Sequence, residues 1–151
     1  MVTSVLRYVE EHGTSIIAYW RDTYYVKTSE YQRRKQVPGF LEAKEQETLA
    51  LFLKAHQQIQ NGQIDYTIYE AIGEDRFDIQ TPFSELVELP QTLCTAILEY
   101  LFEKIKSGDL TIPDETLFDY ILLLREIETR LRDGLVTGYL KQDGAAEFGS
   151  F

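Results

Sequence analysis

A single cysteine among 151 residues excludes an internal disulfide framework and any zinc site built on cysteines. Cys94 lies between Leu93 and Ile97 on an apolar helical face and reads as a buried, inert thiol. Histidine is almost as scarce, with two copies, and no Asp or Glu stands three or four residues from His56 to complete a local metal pair. The Glu-x-x-His pair of di-iron bundles does not occur, nor does a glycine-rich phosphate loop or a strand-turn-helix nucleophile elbow. No metal site and no catalytic residue set is therefore expected. Apolar runs fall short of the roughly 20 residues of a membrane span, and the first residues lack the basic-then-apolar pattern of a leader. The amino end reads as the start of a cytoplasmic protein. Positive charge is also short: 15 Lys and Arg face 25 Asp and Glu, a net charge of −10. Only Arg33–Arg34–Lys35 cluster, and they read as a solvated loop or helix end. Neither nucleic acid nor an anionic membrane is an expected partner.

What is present is apolar spacing at intervals of three and four. The hydrophobic and charged fractions, 44% and 26%, suit one ordinary domain with one core. Residues 81–107 carry the strongest pattern, with Phe83, Leu86, Val87, Leu93, Ile97, Leu98, Leu101, Phe102 and Ile105 in helical register. Thr81 is placed to cap this helix and Pro82 to open it, while Pro90 predicts a bend. Its apolar face is broader than one contact requires, so a second partner surface is expected. Glu85, Glu88, Glu99 and Glu103 fall on its outer edge and read as solvated.

Before it, residues 3–11 and the segment from Ser15 to Tyr24 form two short helices separated at Gly13. A polar stretch over 27–36, closed by Val37-Pro38-Gly39, reads as a loop or frayed helix end. Residues 40–61 form the next helix, with Leu41, Leu49, Phe52, Leu53, His56 and Ile59 inward and Glu42, Lys44, Glu45 and Glu47 in water. Residues 64–79 mix strand-like and helical signals. No second strand exists to pair with them, so a helix with Ile64, Ile68, Ala71 and Ile72 on one face is preferred. The last helix, 114–141, buries Leu117, Tyr120, Ile121, Leu124, Ile127, Leu131 and Leu135 and exposes Glu126–Arg130 and Glu128–Arg132 pairs. Gly134 and Gly138 within it mark either close packing or a fraying end. Residues 142–151 are expected to form a disordered tail or the start of a linker. The reading is all-α, about six helices, in one domain over 1–141.

Candidate site residues are few. His56 shares a face with Phe52 and Ile59 and reads as a core histidine satisfied by hydrogen bonds rather than a ligand or base. His12 reads as a cap at the end of the first helix. Ten tyrosines, eight phenylalanines and Trp20 offer aromatic walls; His56, Trp20, Tyr100 and Tyr120 are candidates for a pocket, against ordinary packing. Leu93, Ile97, Leu101, Leu117, Leu124 and Leu131 are candidates for the core or a dimer contact.

The opening Tyr8-Val9-Glu10-Glu11, the run Ile16-Ile17-Ala18-Tyr19-Trp20-Arg21-Asp22-Thr23, the run Ile97-Leu98-Glu99-Tyr100-Leu101-Phe102 and the turn Leu110-Thr111-Ile112-Pro113-Asp114-Glu115 resemble the amino-terminal sensory domain of RsbR-type RsbT co-antagonists of the stressosome. Element order and spacing carry the resemblance, which extends to about Lys141. It implies a globin-like fold without haem, a homodimer, and a last helix running on toward a STAS output domain, a protein partner. The sequence ends soon after Lys141 without that domain, as an isolated input piece or a stand-alone relative would. A haem globin holds iron through a histidine on the helix before the central one; residues 64–79 contain none, so no cofactor is expected. The expected function is non-enzymatic signal input to a stress-response regulator. The alternatives are an up-down bundle sensor in fold and a small-molecule or chromophore-binding module in function.

Overall fold

The computed structural model describes residues 2–147, and they are all-α: seven α-helices and one short 3-10 turn, with no strand among the described residues. In chain order these are α1 (Val2–Glu11), α2 (Gly13–Thr23), the 3-10 turn Tyr25–Lys27, α3 (Ser29–Arg34), α4 (Phe40–Gln60), α5 (Thr67–Asp78), α6 (Phe83–Lys106) and α7 (Asp114–Glu147). Among the described residues, no helix is long and apolar enough to cross a membrane.

Helix α6 is the spine. It runs unbroken through the buried Pro90, although the ladder loses the bond that a residue with an N–H would donate there. Leu93, Ala96, Ile97 and Leu101 are fully shielded, because α2 packs on one side of α6 and α7 on the other. Opposite them α7 supplies Tyr120, Leu124, Ile127, Leu131 and Leu135, and α4 supplies Leu51, Phe52 and Ala55. Each such large side chain contributes roughly 1.5–3 kcal/mol through burial. Most of the surplus apolar face of α6 is thus covered within the chain, with Phe83 and Phe102 left exposed. Of the proposed core or dimer residues, Leu93, Ile97, Leu101, Leu124 and Leu131 are core and cannot reach a second subunit; Leu117 is half-buried. Large apolar side chains left on the surface include Phe118 and Leu122 of α7, at 62% and 69% exposure, and Phe102 of α6.

The seam between α5 and α7 depends on glycine. A Cβ at Gly73 would lie 2.1 Å from the Leu135 carbonyl oxygen, and one at Gly138 would lie 1.9 Å from that of Glu70. No side chain fits at those distances, so the two backbones touch directly. Gly134 faces Tyr69 in the same seam. Close packing, not fraying, explains the glycines of α7. Its backbone stays helical to Glu147, past the expected end at Lys141; residues 148–151 of the expected tail lie outside the described residues.

Several local expectations change. The polar stretch after α2 is ordered as the 3-10 turn and α3. Thr81 does not cap α6; Pro82 occupies the cap position, and the Thr81 hydroxyl points to Glu30 instead. The inner face of α5 is Tyr69, Gly73 and Arg76, while Ala71 is exposed and Ile68 and Ile72 are half-buried. Lys44, expected in water, is buried on α4 in register with Thr48, Leu51 and Ala55. The Glu126–Arg130 and Glu128–Arg132 pairs form at 3.7 and 3.6 Å.

Candidate functional site

The four aromatic and histidine candidates do not form one pocket. His56 is fully buried, its Nδ1 3.1 Å from the Phe52 carbonyl and its Nε2 3.0 Å from the Tyr120 hydroxyl. A carbonyl only accepts, so Nδ1 carries the proton and Nε2 accepts from Tyr120. Burial pushes the imidazole pKa down to about 4. Both ring nitrogens are engaged, leaving no position for a ligand. Tyr100 lies elsewhere, 6.4 Å from the His12 ring, and His12 stacks on Tyr8 at the α1–α2 junction while its Nδ1 bonds the Tyr8 carbonyl. Trp20, away from both, lines a cavity. Among the described residues, no group of three or more His, Cys, Asp or Glu is placed to hold a metal ion.

That cavity, of about 210 Å³, opens beside a cluster of buried charges assembled from three helices. Glu30 of α3 is 4% exposed, Lys44 of α4 and Arg76 of α5 each 6%. Helix α3 is too short to hold its own place. The Glu85 carboxylate of α6 pins it, accepting from the Ser29 backbone N–H and hydroxyl at 2.7 Å each and from the Glu30 N–H at 3.1 Å. Glu85 is therefore no solvated edge residue: it answers the unpaired N–H groups of α3 and turns Glu30 inward. Arg33 and Arg34 complete the anchorage by donating to the carbonyls of Gln80 and Ile79 at the end of α5. Those cations close α3, the helix end that the sequence offered, and sit where α5 presents unpaired carbonyls.

Glu30 then receives four groups. Tyr25 donates its hydroxyl at 2.7 Å and Thr81 at 3.2 Å; Lys44 Nζ lies at 3.3 Å and Arg76 Nε at 3.5 Å. The outer side of Arg76 pairs with Glu47 and Asp75. Burial pushes the Glu30 carboxyl upward, but Lys44, the Tyr25 hydroxyl and Arg76 outweigh it and hold the group below its usual range. Burial and neighbouring Arg76 push the Lys44 ammonium down against the pull of Glu30. Burial and the bond to Glu30 raise the Tyr25 phenol. Despite this company the Arg76 Nε–H makes no hydrogen bond, and the buried Nε of Arg34 is alike in this. A second hollow of about 240 Å³ shares Glu30, Lys44 and Arg76 with the cavity and adds Arg34.

The cavity has two characters. Trp20, Tyr24, Leu86 and Leu89 form an apolar wall, and Trp20 is fixed by its Nε1–H donating 3.0 Å to the Thr92 hydroxyl. Glu30, Lys44, Arg76 and Thr81 form a polar corner. Thr81 also reaches the last helix: its carbonyl accepts from the Tyr139 hydroxyl at 2.9 Å, and the Tyr139 ring packs on Phe77 and Phe83. The chain makes this turn at Gln80, whose φ of 63° is the one positive value on a non-glycine among the described residues.

Sequence reasoning found Trp20 and missed Glu30, Lys44, Arg76 and Glu85. Helical register held a signal for two of them. Lys44 falls in step with Thr48, Leu51 and Ala55, and Arg76 in step with Tyr69 and Gly73. Glu30 and Glu85 meet across 55 residues of chain and left no local trace. Comparison with protein-family models, curated proteins and solved structures yields no match.

Proposed function

We propose that this chain is a non-enzymatic signal-input domain, with the globin-like plan and stressosome-type role that its sequence segments suggest. The cavity beside Glu30 is the input, and the carboxyl-terminal half of α7 is the output, leading to a protein partner. One observation carries this reading: Thr81 joins the two ends. Its hydroxyl holds Glu30 in the cavity wall while its carbonyl holds Tyr139 of α7. A shift of Glu30 or of the strained turn at Gln80 is felt at α7 directly. The same α5 that carries Arg76 touches α7 backbone to backbone at Gly73 and Gly138, so the two helices move together. Dimerisation in the cytoplasm fits this role, with Phe118 and Leu122 of α7 as the exposed contact surface.

Hydrogen exchange on the whole chain tests the coupling. Thr81→Val keeps the carbonyl and the side-chain shape but removes the bond to Glu30. Exchange should rise over residues 134–147 and stay constant over 117–124. Unchanged exchange at 134–147 would sink the proposed route. Sedimentation at micromolar concentration tests the association: Leu122→Asp should convert a dimer to a monomer, and a parent chain that is already monomeric removes the dimer from the proposal.

A further inference from the structure

We propose that the Trp20 cavity binds a small carboxylic acid with one ring or one branched apolar chain. The inference rests on reading this cavity as the input site and adds the chemistry of what enters it. Size sets the body of the ligand. A cavity near 150 Å³ holds benzene, so about 210 Å³ accommodates a single ring plus a short acid arm and excludes a fused cofactor. The wall of Trp20, Tyr24, Leu86 and Leu89 sets its character: an aromatic or branched aliphatic group buries well there.

Hydrogen-bond capacity at the polar corner sets the head group. The acceptors are already engaged. Glu30 Oε2 takes Tyr25 and Lys44, and its Oε1 takes Thr81 beside Arg76. Glu85, on the same wall, is occupied at both oxygens by the start of α3. The donors are not. Arg76 Nε–H is buried without an acceptor, and the Lys44 ammonium has three N–H groups with Glu30 as its hydrogen-bonding partner and the Tyr25 ring 5.3 Å below. A head that only accepts is therefore matched, and one that only donates is not. Net charge does not choose the head, because Lys27, Lys44 and Arg76 face Glu30, Glu85 and Glu88 in the lining while Glu47 and Asp75 pair with the outer side of Arg76; the free donors do. Lys27 and Glu88, both exposed where they line the cavity, are of opposite sign and offset each other. An acid placed on Lys44 and Arg76 Nε makes charge-assisted bonds in a site already screened from water.

Trp20 is the chain's one tryptophan, so its fluorescence reads the cavity wall directly. The full chain is titrated with phenylacetate and 4-methylpentanoate, and with the matched neutral amide and cationic amine of phenylacetate. At least one acid should change Trp20 fluorescence saturably at millimolar concentration and raise the melting temperature. The amide should bind roughly tenfold more weakly or worse, and the amine not measurably. Leu89→Phe fills the apolar wall at a half-buried position away from the ion cluster; it should keep the parent melting temperature and lose the acid response. Lys44→Met, if folded, should narrow the gap between acid and amide, with Arg76 left as the one buried cation. No saturable response to either acid overturns the proposal, as does amine binding on a par with acid or full binding by Leu89→Phe. Occupancy is read here without reference to α7. Acid binding with unaltered exchange at 134–147 defeats the signalling route and leaves the ligand assignment standing, whereas the Thr81→Val result is independent of any ligand.

Discussion

The α6–α7 core and the Glu30 corner are built from neighbouring helices of one domain, yet they treat polar groups in opposite ways. In the core, the polar side chains are matched one to one. His56 and Tyr120 satisfy each other and the Phe52 carbonyl, and Leu93, Ile97, Leu101 and Ile127 pack around with no accessible surface. At the corner, two cations converge on one buried carboxylate, a guanidinium N–H lacks an acceptor, and a cavity lies alongside. A closed network stabilises a single arrangement, whereas an open one keeps donors available. The core closes on itself, and the corner keeps donors free beside a cavity.

The comparison breaks most visibly in the core. Ile97→Asp places an unpaired charge at a position with no exposure and should cost more than about 5 kcal/mol, leaving no cooperative unfolding transition by circular dichroism. A folded, soluble variant of parental stability would mean that the α6 face is not core. At the corner, Glu30→Ala strands Lys44 beside Arg76 and should cost about 3–5 kcal/mol in chemical denaturation. Adding Lys44→Met to that variant should recover part of the loss, because the two sites share one network. Additive losses would show that Glu30 and Lys44 act separately.

The seam between the two regions gives a prediction of sign. On helix propensity alone, Gly138→Ala would gain about 1 kcal/mol. Because its Cβ would lie 1.9 Å from the Glu70 carbonyl oxygen, we expect a loss of about 1–3 kcal/mol or more as α5 is pushed from α7. A stabilised variant would deny the backbone contact.

Acid titration separates the core from the corner. The pKa of His56 is about 4 in the folded chain and about 6.5 when unfolded, so between those values the unfolded state binds more protons. The contribution is present in full above about pH 6.5 and lost as pH falls toward 4. From pH 7 to pH 5 the loss should be about 2 kcal/mol. His56→Gln should remove that slope relative to the parent chain; an identical slope in both would place the titrating group elsewhere. The smallest effect belongs to the surface. Arg132→Ala breaks a half-buried surface pair with Glu128 and should change stability by less than about 1 kcal/mol, a value that a larger loss would contradict.

Much of the domain was legible residue by residue. Helical spacing identified the central and final helices, and Leu93, Ile97, Leu101, Leu124 and Leu131 are all buried as the pattern indicated. His56 is the satisfied core histidine that its place beside Phe52 suggested, although its partner Tyr120, 64 residues away, was grouped with it only as a pocket candidate. The site was less legible. Charged residues on a helix read as solvated because isolated charges are costly to bury, and Lys44, Arg76 and Glu85 break that rule only through partners on other helices.

By itself the sequence determined the all-α class, the register of the two long helices, and the absence of covalent staples, since periodicity and composition are local properties. It also posed the question of the broad apolar face on α6. Tertiary structure alone decided the answer, covering most of that face with α2 and α7 inside one chain. It likewise decided that Gly73 and Gly138 mark contact, and that Glu30 gathers Lys44, Arg76 and Thr81 around a cavity. Burial of charge and close approach of backbones are properties of pairs, and the members of these pairs meet only when the helices pack.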